Sequence, residues 1–138
     1  MEDFFSTVFY YTNGFYSQLL DTYLYKTTPG YLHIGLFTVI ISLLVCFVFY
    51  YLFKPVRRQT IWWFGYYGIA AFLNFCFSIW YTTTPLINNE IANGEDWTYM
   101  DCTMFGITDI IWTLIFYTIF SFIIKRGSPA KYVPFQKF

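Results

Sequence analysis

The sequence predicts an all-α membrane protein with three transmembrane helices, at about 31–53, 61–81 and 104–124, preceded by an amphipathic interfacial helix on the outer side. Three observations carry this prediction. Three stretches of about 20 mostly apolar residues, the length needed to cross a hydrocarbon core of roughly 30 Å, are almost free of charge. Lys and Arg gather at one end of these stretches, and Asp and Glu at the other. Finally, the chain is 57% hydrophobic and 12% charged, about half the charge of a soluble domain. Water is a poor solvent for such a surface.

The first stretch has no charged residue between Gly30 and Lys54, and the second, Ile61 to Tyr81, has none at all. The third, Met104 to Ile124, contains one, Asp109. Burying three such segments in a soluble core would require polar outer faces that they lack. The 138 residues therefore read as one membrane domain: an outer segment 1–29, a three-helix bundle 31–124 with an outer loop 82–103, and a tail 125–138.

Orientation follows from the bases. Lys54, Arg57 and Arg58 occupy the link between the first two spans, and Lys125, Arg126, Lys131 and Lys137 follow the third. Lys and Arg resist translocation, so this side is expected to be cytoplasmic and the amino terminus outside. The outward segments hold Glu2, Asp3, Asp21, Glu90, Glu95, Asp96 and Asp101, with Lys26 as their one base. Aromatic side chains suited to the interfaces flank the spans, among them Tyr31, Trp80, Tyr81 and Trp97 outside and Tyr50, Tyr51, Trp62 and Trp63 inside.

Within residues 1–29, Phe4, Val8, Tyr11, Phe15, Leu19 and Tyr23 recur every three or four positions and share one helical face. The expected element is a helix lying on the outer leaflet or folded against the bundle. Gly14 also permits two shorter helices. Thr27, Thr28, Pro29 and Gly30 end it before the first span. The outer loop carries an Asn93–Gly94 turn signal, and its acids do not follow the spacing of a calcium loop. Cys46, Cys76 and Cys102 form no CxxC pair, so neither a disulfide framework nor a zinc site is expected. No cofactor or metal is expected either.

The tail alternates basic and bulky apolar residues around a proline. Tyr132, Pro134, Phe135 and Phe138 suit an extended peptide that docks on a cytoplasmic partner, while Lys131 and Lys137 suit contact with anionic lipid.

Each span has one face unlike lipid. At about 100° per residue, Gly35, Thr38, Ser42 and Cys46 line up on the first span, and Gly68, Ala71, Asn74 and Ser78 fall within an arc of about 120° on the second. Gly106, Asp109, Thr113 and Tyr117 fall within about 80° on the third. In lipid, helices associate through close approach at small residues and through interhelical hydrogen bonds, so these faces are expected to pack against protein. Asp109 needs a partner, water or a proton at membrane depth. Asn74 lies at a comparable depth in the antiparallel second span; His33 enters from the outer end of the first but points away from the Gly35 face, which leaves its contact between subunits or absent.

No nucleophile with its base, carboxylate pair or metal-ligand set converges on one site, so an enzyme is not expected. The balance of eight bases and eight acids gives no footprint for nucleic acid. The expected function is that of a non-enzymatic membrane subunit that anchors or scaffolds a larger bacterial envelope complex, such as a secretion, injection or transport machine in the inner membrane. Its expected partners are other membrane subunits, copies of itself, or a cytoplasmic protein at the tail. A homo-oligomeric channel or proton-conducting subunit using Asp109, and a small membrane immunity or regulatory protein, are the alternatives.

Overall fold

The computed structural model describes residues 1–12, 18–27, 29–53, 58–88 and 97–128, and among these it is all-helical. Helix α1 spans Glu2–Thr12, and α2 spans Gln18–Thr22 and widens into a π-helical turn, Tyr23–Thr27. Helix α3, Gly30–Phe47, continues as a π-helical segment, Val48–Phe53. Helices α4, Gln59–Ile87, and α5, Tyr99–Ile124, complete the bundle, and a 3₁₀ turn, Lys125–Gly127, ends it. Lys54 and Arg57 in the basic link, the acids Glu90, Glu95 and Asp96, and the tail residues Tyr132, Pro134, Phe135 and Phe138 lie outside the described residues.

Two helical segments, Gly30–Phe53 and Tyr99–Gly127, are long and apolar enough to cross a membrane. Helix α4 has 29 residues and no charged side chain, which gives it a length of about 43 Å. It is the least apolar of the three because Trp62, Trp63, Tyr66, Tyr67, Asn74 and three consecutive threonines interrupt its aliphatic run.

Two helix ends differ from the expected ones, and each has a local cause. Helix α4 continues beyond Tyr81 because the threonine hydroxyls bond within the helix. Thr82, Thr83 and Thr84 donate to the carbonyls of Ser78, Ile79 and Trp80 at 2.8, 2.7 and 2.6 Å. Pro85 then sits in the last turn, where its missing N–H leaves the preceding turn one hydrogen bond short. Helix α5 starts at Tyr99 rather than Met104 because Thr98 and Asp101 form a capping box. The Asp101 N–H donates to Thr98 Oγ1 at 3.3 Å, and the Thr98 N–H donates to Asp101 Oδ2 at 2.9 Å. Entry into α4 is strained: Arg58 precedes it in the left-handed region, with φ at 52°.

The amino-terminal segment is folded against the bundle as two separate helices, α1 and α2. Its buried face is not the expected one, since Phe4 is 57% and Leu19 41% exposed, whereas Phe5, Phe9, Leu20 and Leu24 are buried. Gly35 on α3 selects this face. A Cβ there would collide with the Phe5 ring, so the absence of a side chain makes the notch into which Phe5 fits. Phe9 packs between Tyr31 and Phe105, and the Tyr31 hydroxyl donates to Asp21 at 2.6 Å. Each buried Phe contributes on the order of 1.5–3 kcal/mol.

Along the bundle axis, two aromatic-rich clusters flank a polar middle. One comprises Phe5, Phe9, Leu24, Tyr31, Trp97 and Phe105, with their neighbours. The other comprises Cys46, Phe49, Tyr50, Trp63 and Tyr117. Between them the interior is built from Thr38, Ser42, Asn74, Ser78, Asp109 and Thr113, all fully buried. The outside carries the large apolar side chains, including Ile40, Leu44, Phe64, Phe72, Ile111 and Ile119.

Candidate functional site

The polar middle is centred on Asp109, which α5 places one turn beyond Gly106 and one turn before Thr113. Gly106 faces α4, and a Cβ there would meet the Phe75 ring at 2.8 Å, so the helices can approach closely just above the carboxylate. Asp109 is wholly buried. Thr38 on α3 donates to its Oδ1 at 2.7 Å, and Ser78 on α4 donates to its Oδ2. One carboxylate thus joins all three long helices. Both contacts are to hydroxyls, and among the described residues no basic side chain is in contact with it.

One turn further along, Asn74 Nδ2 donates to Thr113 Oγ1 at 2.8 Å, and the Thr113 hydroxyl donates to the Asp109 carbonyl at 2.8 Å. Asn74 and Asp109 are therefore linked through Thr113 rather than directly. The single hydroxyl hydrogen of Thr113 is spent on that carbonyl, so its oxygen acts as acceptor and the amide must present nitrogen to it. Asn74 Oδ1 is left buried without a hydrogen-bond partner, as are Ser42 Oγ on α3 and the Tyr117 hydroxyl on α5.

The seam continues through Ser121, whose hydroxyl accepts from Trp63 Nε1 at 2.9 Å and lies 3.6 Å from Cys46 Sγ. At this end Lys125 is buried. Its ammonium lacks a hydrogen-bond partner and sits 4.7 Å from the centre of the Phe122 ring, while Arg126 and Arg58 are exposed. A cation over an aromatic face gains about 0.5–2 kcal/mol.

Most residues of the expected helix faces come together here: Thr38, Ser42, Cys46, Ala71, Asn74, Ser78, Gly106, Asp109, Thr113 and Tyr117 are buried in the interior, and Gly35 receives Phe5. Two do not join the seam. His33 is exposed, and its Nδ1 lies 2.9 Å from the Tyr81 hydroxyl, so Tyr81 rather than Asp109 is its partner. Gly68 is exposed, and a Cβ on it would have open space around it, as would one on Gly65.

Sequence reasoning placed Thr38 and Ser78 on packing faces and did not identify them as the donors to Asp109. The available signal was register: Ser78 is one turn from Asn74, towards the end of the bundle at which α5 begins. Trp63 and Ser121 were also missed as a hydrogen-bonded pair. Among the described residues, no three of His, Cys, Asp and Glu are grouped to hold a metal ion. The chemistry available is that of a buried seam of hydroxyl and amide groups with one carboxylate. Comparison with protein-family models, curated proteins and solved structures gives no match.

Proposed function

We propose that the chain is a non-enzymatic integral membrane subunit with three spans, α3, α4 and α5, that anchors or scaffolds a larger bacterial envelope complex. The observation that supports this best is its inverted polarity. Thr38, Ser42, Asn74, Ser78, Asp109, Thr113 and Ser121 turn inward, while many Ile, Leu and Phe side chains turn outward along all three helices. A soluble protein of this size does not expose apolar area on that scale, whereas lipid-facing helices do. The basic link and tail orient the bundle with its amino terminus outside and its carboxyl terminus in the cytoplasm.

The bundle's small-residue faces are largely used within the chain, which makes the protomer a pre-packed unit. The outer face of α4 keeps Gly65 and Gly68 open, between exposed Ile61, Phe64 and Phe72. This is where a helix of another subunit, or of a second copy, can approach the backbone closely. The tail around Tyr132, Phe135 and Phe138 provides the cytoplasmic contact. Purification from native membranes in mild detergent tests the reading: a larger species containing a reproducible membrane partner is expected, and a monomer alone would refute it.

The second reading, a proton- or ion-conducting subunit, is favoured by one observation. The buried polar seam runs from Ser78 and Asp109 past Tyr117 to Ser121, with three unpartnered oxygens along it. In that reading conduction runs through the protomer, because Asp109 is enclosed by the helices of its own chain.

A further inference from the structure

We propose that the buried polar layer next to Asp109 binds one monovalent cation of the size of sodium, held between the Asp109 carboxylate and the oxygens of Asn74 and Ser42. This goes beyond the scaffold reading and does not depend on it.

The first argument is charge. A carboxylate wholly buried between three helices needs a compensating charge, and an unpaired buried ion is among the most costly arrangements in a protein. Two hydroxyl donors stabilise Asp109 without neutralising it. Among the described residues no basic side chain contacts it. A single carboxylate balances a single positive charge, and among the described residues no second acid contacts Asp109 that could help to balance a divalent ion.

The second argument is the ligand set. Asn74 Oδ1 and Ser42 Oγ are wholly buried and unpartnered, which is rare for native polar atoms unless water or an ion meets them. Asn74 cannot relieve this by flipping its amide, because Thr113 requires the nitrogen. Both residues lie one helical turn from a group bound to Asp109: Ser42 follows Thr38 on α3, and Asn74 precedes Ser78 on α4.

The third argument is spacing. One turn separates the two layers by about 5.4 Å. A hard cation with oxygen ligands at about 2.3–2.6 Å, the range for calcium, which sodium matches in size, bridges about 5 Å between oxygens on opposite sides.

The competing arrangement is a neutral acid. Thr38 has one hydroxyl hydrogen and lies 2.7 Å from Asp109 Oδ1 and 2.8 Å from the Ile34 carbonyl. If Asp109 kept its own proton, it would donate to Thr38, which would donate to Ile34, and no cation would be needed.

The test uses the full chain in mild detergent, with its thermal midpoint measured in sodium chloride and in choline chloride at equal ionic strength. The proposal expects a saturable rise of a few degrees with sodium and binding of about one radioactive sodium ion per chain, the single charge that one carboxylate balances. Asp109→Asn should abolish both effects, and Ser42→Ala should weaken binding roughly 10–100-fold. Equal midpoints in the two salts, with no bound sodium, would overturn it and establish the neutral acid. That comparison is made on the unaltered chain, so it stands even where a variant fails to fold.

Discussion

Thr38 and Asp109, on the first and last of the three long helices, share a 2.7 Å hydrogen bond at the centre of the bundle, and Ser78 completes the bridge from α4. The bridge makes a quantitative prediction, because the two hydroxyls differ in what they can do without the carboxylate. Thr38 can fall back on the Ile34 carbonyl of its own helix at 2.8 Å, whereas the Ser78 hydroxyl has no other bond. Removing Asp109 therefore strands Ser78 at a cost of about 1–3 kcal/mol. Unfolding of Asp109→Leu, Ser78→Ala and the double variant in detergent should give a coupling energy of that order. The Thr38→Val cycle should show less. Equal coupling at both positions would contradict the assignment.

The three-helix core was readable in the sequence because each long helix has a run with at most one charge and one small or polar face. Those faces do meet around Asp109. The donors to the carboxylate were not readable. Choosing between Asn74 and Ser78 requires knowing the axial offset of α4 against α5 to within one turn, and no periodicity reports that. The docking face of the outer segment was misjudged for a related reason. Phe4 and Phe5 have equal claims from spacing alone, and Gly35, far along the chain, decides between them. The start of α5 was hidden because Asp101 reads as a loop acid until Thr98 is seen to pair with it.

Gly35→Ala should push α1 off the bundle, since the added methyl would collide with the Phe5 ring. Overpacking of this kind costs about 1–3 kcal/mol. Protease cleavage within residues 1–12 should accelerate. Phe5→Leu, introduced into Gly35→Ala, should restore part of the protection, and failure of that rescue would indicate a cause other than the Phe5 contact.

Arg58 holds a left-handed backbone at the start of α4, a conformation that glycine adopts without strain. Arg58→Gly is expected to raise stability by about 1 kcal/mol, read as a higher thermal midpoint in detergent. A lower midpoint would mean that the Arg58 side chain contributes more than its backbone costs.

Trp97 closes the end of the bundle that carries α1 and α2: its indole N–H donates to the Thr82 carbonyl at 3.0 Å, and its ring packs on Tyr23. Trp97→Phe keeps much of the packing and loses the donor, so a loss of about 0.5–1.5 kcal/mol is expected. Trp97→Ala should cost more, about 3–5 kcal/mol. Denaturant midpoints for the two variants measure the difference.

The proposed orientation is checked by impermeant thiol labelling of intact cells after the native cysteines are replaced by alanine. Asn88→Cys, at the exposed end of α4, should be labelled from outside, and Arg58→Cys, at its other end, should be labelled only after the membrane is opened. The reverse pattern would invert the topology.

The central claim is that this bundle is a pre-packed subunit whose open α4 face meets another membrane helix. The most direct measurement is the native mass in mild detergent of the unaltered chain and of Gly68→Leu, alongside the thermal midpoint of each. Gly68 has open space beside it within the protomer, so the added side chain should leave folding intact, and replacing a mid-helix glycine removes a penalty of about 1 kcal/mol. The account predicts a complex for the unaltered chain, and a folded monomer with an undiminished midpoint for Gly68→Leu. An unaltered chain that runs as a monomer, or a complex that survives Gly68→Leu unchanged, would contradict it.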